Sequence, residues 1–87
     1  MDLKYIKGFI RVDYDDDDEY IQLMYNVTLQ EMKELIEDFN EEKPTYRQQL
    51  LILTTIKELY DNREKRTTKP ELLRAAISSM LLKEMYK

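Results

Sequence analysis

The sequence has no cysteine, no histidine and no tryptophan, with one glycine and two prolines. Each absence excludes something. Without cysteine there is no disulfide scaffold and no thiolate chemistry. Without histidine the chain lacks the usual general base and the commonest metal ligand, and Ser78 and Ser79 have no imidazole to activate them. One glycine, Gly8, cannot build a glycine-rich phosphate loop. So few turn-formers leave little material for hairpins. The longest apolar run, Leu50-Leu51-Ile52-Leu53, falls far short of the roughly 20 residues of a membrane span. Asp2, Lys4 and Lys7 interrupt the start, where a signal peptide would be apolar. The expectation is a cytoplasmic chain without membrane association.

What is present is charge and helical periodicity. Eighty-seven residues suit one domain, residues 1–87. Such a chain buries only about 60–65% of its unfolded surface. Eighteen acids against 14 bases give a net charge of −4, which argues against a nucleic-acid grip by charge alone. A binding or assembly protein is expected, not an enzyme, with no cofactor and no metal.

Four apolar-periodic segments predict an all-α fold: a small up-and-down bundle of one short helix and three longer ones. The expected helices cover about 2–11, 16–39, 45–62 and 69–86. Leu3, Ile6, Phe9 and Ile10 recur at helical spacing in the first. Gly8 lies inside it at a cost of about 1 kcal/mol relative to alanine, and close packing against a neighbour is its expected use. In the second, Ile21, Met24, Thr28, Met32, Leu35 and Phe39 form a stripe that Tyr25, Leu29 and Ile36 widen. Glu31, Lys33, Glu34, Glu37 and Asp38 lie mostly off it. This helix is expected to start near Asp15 or Asp16, where short acidic side chains cap orphan N–H groups, and to end near Asn40, before Pro44.

Thr45-Tyr46-Arg47-Gln48 has the spacing of a capping box and opens the third segment. Tyr46, Leu50, Leu53, Ile56 and Tyr60 share a face there, and Leu51, Ile52 and Leu59 widen it. That helix is expected to be central or covered by another subunit. Thr68-Lys69-Pro70-Glu71 repeats the capping spacing with proline in the first turn. The fourth helix carries more apolar surface than two-layer packing needs, so part of it is expected to await a partner.

Charge is split along the chain. Residues 1–44 hold 13 acids and 5 bases, and residues 45–87 hold 5 acids and 9 bases. The extremes are the acidic Asp13, Asp15, Asp16, Asp17 and Asp18, with Glu19, and the basic Arg63, Lys65, Arg66 and Lys69. In an up-and-down bundle these two loops share an end. They are the candidate subunit or partner contacts, either between neighbouring subunits or within one, as Asp13 with Arg63. Calcium fits the acidic run poorly. An EF-hand loop starting at Asp13 needs glycine at its sixth position and a bidentate glutamate at its twelfth, and those positions hold Asp18 and Met24. A solvated, acid-capped helix start is the simpler reading. The basic tract is short and broken by Glu64, which suits a helix C-terminus better than phosphate reading.

The stretch from Leu3 to Ile21 resembles the start of the head–tail connector (DNA-packaging adaptor) proteins of tailed bacteriophages. These open with a short helix, then R-[I/V]-D-x-D-x-D-D and a long helix. Arg11, Val12, Asp13, Asp15, Asp17 and Asp18 match. Leu59 to Glu64, L-Y-D-N-R-E, is similar to the family's L-Y-x-x-R-E, and Met80-Leu81-Leu82 with Tyr86 to its closing pattern. The matches keep the family's order over nearly the whole chain.

The resemblance implies a small helical subunit of a phage or prophage virion, assembled in the bacterial cytoplasm and sited at the head–tail junction. It implies a cyclic homo-oligomer, commonly of about twelve copies, with heterologous interfaces. The implied partners are the portal protein above and a tail-side connector protein below. DNA passes through the channel without sequence-specific binding. No catalysis is implied. Two other readings are a small acidic phage-encoded inhibitor of a host protein and a DNA-binding regulator, the latter requiring salt-sensitive DNA affinity.

Overall fold

Four α-helices follow one another: α1 (Leu3–Ile10), α2 (Asp18–Leu35), α3 (Tyr46–Asp61) and α4 (Pro70–Met85). The computed structural model describes residues 1–61 and 70–85, and the side chains of 1–61 and 74–83. No strand occurs among the described residues. The fold is the expected small all-α bundle, a short helix followed by three longer ones. Its radius of gyration is 12.2 Å, close to the ~12 Å of a folded chain this long.

The helix ends follow from local chemistry. Asp2 caps α1 by accepting the Tyr5 N–H at 2.8 Å. Arg11 closes it in the left-handed region, φ 62° and ψ 48°, and the Val12 N–H returns to the Lys7 carbonyl at 2.9 Å, a Schellman closure with buried Val12 behind it. α3 opens with the predicted capping box: Thr45 Oγ1 accepts the Gln48 N–H and Gln48 Oε1 accepts the Thr45 N–H. Pro70 is the first residue of α4, where its missing N–H costs nothing. Thr68 and Lys69 lie outside the described residues.

α2 is shorter than its stripe predicts. It stops at Leu35, and Ile36 is extended (φ −120°, ψ 109°). Glu34, Glu37 and Asp38 crowd the negative end of the helix dipole, with only Lys33 to offset them in the last turn. Leaving the helix there lets Ile36 and Phe39 both fold back onto the core, with the Phe39 N–H on the Ile36 carbonyl. An ion pair from Lys33 to Glu41, 2.8 Å, ties the connection to α2.

The core is one cluster with α2 at its centre. Ile6 of α1, Ile21, Met24 and Met32 of α2, Ile52, Ile56 and Leu59 of α3, and Ile77 and Leu81 of α4 are completely buried. α2 packs on α3 and α4, and α1 lies mainly on α3. Three sequence expectations change here. Phe9 is 37% exposed, so α1 turns Ile6 and Ile10 inward instead. The buried face of α3 runs through Ile52, Leu53, Ile56, Leu59 and Tyr60, while Tyr46 and Leu50 are exposed. Glu31 is buried, not off the stripe. No helix among the described residues is long and apolar enough to cross a membrane.

Candidate functional site

The acidic stretch between α1 and α2 is gathered by contacts from two helices. The Lys7 ammonium, on a side chain only 12% exposed, pairs with Asp15 at 2.9 Å and Asp18 at 2.7 Å. These two hydrogen bonds, Asp18 first, hold Lys7 protonated above the usual lysine range. From the other side, buried Tyr60 of α3 donates its hydroxyl to Asp17 at 2.6 Å. Its single proton is then committed, so the Tyr14 hydroxyl, 2.7 Å away, donates to Tyr60.

Asp17 stands at the N-cap of α2 but makes no side-chain cap; its carboxylate serves Tyr60 instead. The expected start at Asp15 or Asp16 therefore moves to Asp18. Asp18 and Glu19 occupy the first turn, where negative charge suits the dipole. Of the five candidate aspartates, Asp15, Asp17 and Asp18 are engaged within the subunit, and Asp13 and Asp16 are exposed. No group of three acids among the described residues is placed to hold a metal ion. Arg63, Lys65, Arg66 and Lys69 lie outside the described residues, and with them the proposed acidic–basic loop contact.

α1 and the acidic loop enclose an open hollow of about 820 Å³. Leu3, Gly8 and Val12 supply its apolar lining, and its charged lining is balanced, with Lys4, Lys7 and Arg11 against Asp13, Asp15 and Asp18. Among the described residues Gly8 does not serve close packing: a Cβ placed there meets nothing within 4 Å.

A second charged cluster joins α2 to α4. Arg74 bonds through Nε to the buried carboxylate of Glu31 and through Nη2 to both oxygens of Glu34, at 2.9 and 2.7 Å. The two acids hold the guanidinium firmly charged, Glu31 first. Arg74 is in the early part of α4 and Glu31 in the later part of α2, so α4 begins at the end of α2 away from Asp17. Its later turns reach α3, where Met80 and Lys83 line a smaller hollow with Thr54 and Thr55.

Sequence reading singled out the acids but not Lys7 or Tyr60 as their partners, nor Glu31 as the buried partner of Arg74. A signal existed for Glu31, which is seven residues from Met24 and three from Thr28 and so falls on the buried stripe. For Tyr60 the signal was a hydroxyl-bearing side chain on the apolar face. No protein family, curated protein or solved structure matches this chain.

Proposed function

We propose that this chain is a structural subunit of a phage or prophage head–tail connector, forming a ring beneath the portal that extends the DNA channel and docks tail-side proteins. The observation that carries the reading is a contact between its two most family-like stretches. Tyr60 belongs to L-Y-D-N-R-E and Asp17 to R-V-D-Y-D-D-D-D. They are 43 positions apart and hydrogen-bonded at 2.6 Å. Two stretches that resemble separate parts of one family's pattern are thus parts of one structural feature, which supports treating them as one signature.

The chemistry is compatible with that role. A net charge of −4 lets DNA slide past instead of sticking. A cyclic assembly needs two different, complementary surfaces on each copy. The test is the particle mass across concentration by light scattering, alone and with a candidate portal protein, with negative-stain imaging of the product. Rings, alone or on the portal, support the proposal. A monomer that ignores the portal overturns it and favours a binding protein directed at the host.

A further inference from the structure

Residues 36–39 fit two backbones. Met32, Leu35, Ile36 and Phe39 recur at three- and four-residue spacing, so one helix running through Phe39 would turn all four toward the core. The chain instead leaves the helix at Ile36, φ −120° and ψ 109°. From this turn Ile36 and Phe39 still pack against the core. The helical and the turned backbone thus bury the same side chains. Apolar burial separates them little, and charge at the helix end decides between them.

That end is acidic. Arg74 of α4 holds Glu34 together with buried Glu31. Lys33 is taken by Glu41 at 2.8 Å, and burial, then the charge of Glu41, raises the phenol of Tyr25. Glu42 and Lys43 follow in the connection and Arg47 stands in the first turn of α3, all three exposed. Glu37 and Asp38 are exposed and make no ion pair among the described residues. In a continued helix both would face the negative end of the dipole. Glu37 would also lie three residues from Glu34, and Asp38 four, where like charges repel.

We infer that residues 36–39 are a charge-controlled extension of α2: a turn while Glu37 and Asp38 stand unopposed, and one more helical turn once positive charge or neutralisation reaches them. The inference concerns the single chain and holds whether or not rings form. Chain length permits the change. Four more residues lengthen α2 by about 6 Å. Residues 40–45 then lead to α3 at Tyr46, within the roughly 2–8 residues of helix-to-helix connections. Pro44 stays outside the extension. The contacts given up are the Phe39 N–H on the Ile36 carbonyl, 3.2 Å, and the exposed Lys33–Glu41 pair, for which Glu37, four residues from Lys33, substitutes. The bonds gained run from the N–H groups of residues 37–40 to the carbonyls of Lys33, Glu34, Leu35 and Ile36. Two arrangements so closely matched form a bistable element, which a cationic surface meeting this end of the bundle would bias toward the longer helix.

NMR of the full chain tests this, through ¹³Cα shifts and amide exchange. Glutamine and asparagine have helix propensities close to those of the acids they replace, so Glu37→Gln with Asp38→Asn changes charge alone. Removing two charges from a helix C-terminus should move the equilibrium roughly three- to thirtyfold toward helix. The ¹³Cα shifts of Ile36 and Phe39 should move to helical values, and exchange at the Phe39 and Asn40 N–H groups should slow. Glu37→Lys should act in the same direction. In the parent chain, raising salt from about 0.01 to about 0.5 M should also do so, because screening then acts within a few ångströms; the glutamine–asparagine variant should respond less. Acid is a poorer probe, since it also neutralises Asp15, Asp17 and Asp18. Signals of Ile36, Phe39 and Asn40 that stay in place in both variants overturn the inference, and so does movement away from helical values.

Discussion

The hydroxyl of Tyr60 donates to the carboxylate of Asp17 at 2.6 Å and accepts from Tyr14 at 2.7 Å. One phenol at the end of α3 therefore fixes the start of α2 and the loop before it. Tyr60 is 4% exposed and Tyr14 46%, which predicts an asymmetry. Tyr60→Phe removes a bond to a charged group in a buried setting and should cost about 1–3 kcal/mol. Tyr14→Phe leaves the Tyr60–Asp17 bond in place and should cost about 0.5–1 kcal/mol. Urea denaturation of both variants measures the difference. Equal, small losses would mean that water replaces Tyr60 without penalty.

The Arg74 clamp predicts a second asymmetry. Glu31 is 4% exposed, whereas the Arg74 side chain is 51% exposed and has Glu34 as well. Arg74→Leu strands a buried carboxylate. Glu31→Leu leaves a guanidinium that keeps Glu34 and water. The arginine variant should lose clearly more thermal stability, and Glu31→Leu should stay within about 1 kcal/mol of the parent. The reverse order would mean that Glu31 is hydrated in solution.

On α3 the prediction separates residues that share a hydrophobic pattern. Ile56 is fully buried and Leu50 is 55% exposed. Ile56→Ala should cost about 2–5 kcal/mol, and Leu50→Ala should fall within about 0.5 kcal/mol of the parent. A large loss at Leu50 in dilute monomer would move the face of α3 back to the one its periodicity suggests.

That comparison shows what periodicity can and cannot supply. It located all four helices, because apolar recurrence, the Thr45–Gln48 capping box and Pro70 act through neighbours in sequence. It failed where the outcome depends on partners distant in sequence. The middle of α3 is apolar nearly all round, so its packing on α1, α2 and α4 decides that Ile52 and Leu59 turn inward and Tyr46 outward. Glu31 reads as a surface charge until Arg74 is known to reach it. The end of α2 was misplaced because the stripe continues through Ile36 and Phe39; those side chains do reach the core, but by a turn and not a helix. In the candidate site the acids were legible as a run. The residues that organise them, Lys7 and Tyr60, were not, since each lies on a different helix.

Two groups predict the alkaline limb of the stability curve. Asp18 and Asp15 raise Lys7 above its usual range, and burial, then the charge of Glu41, raises Tyr25. In both cases the native state keeps a proton that the unfolded chain begins to lose at about pH 10. Their contribution is complete below that point and is lost as pH rises through the native values. Stability should therefore be level approaching pH 10 and fall above it. Tyr25→Phe should make the fall shallower, and so should Lys7→Met. Denaturant midpoints from pH 8 to 11 check the slopes; limbs unchanged in both variants would assign the loss to other groups.

The last prediction concerns local backbone stability at Gly8 and Arg11. A Cβ at Gly8 has room, so Gly8→Ala should stabilise the monomer by roughly 0.5–1 kcal/mol. Arg11→Gly relieves the left-handed backbone, φ 62°, and should contribute about 1 kcal/mol. The two positions are neighbours on one helix turn, so the double variant measures any coupling between the changes. Thermal melts of the single and double variants check both gains. A loss at Gly8→Ala would mean that a methyl group there meets a neighbour in solution, and a loss at Arg11→Gly that the arginine side chain holds the helix end by more than its backbone costs.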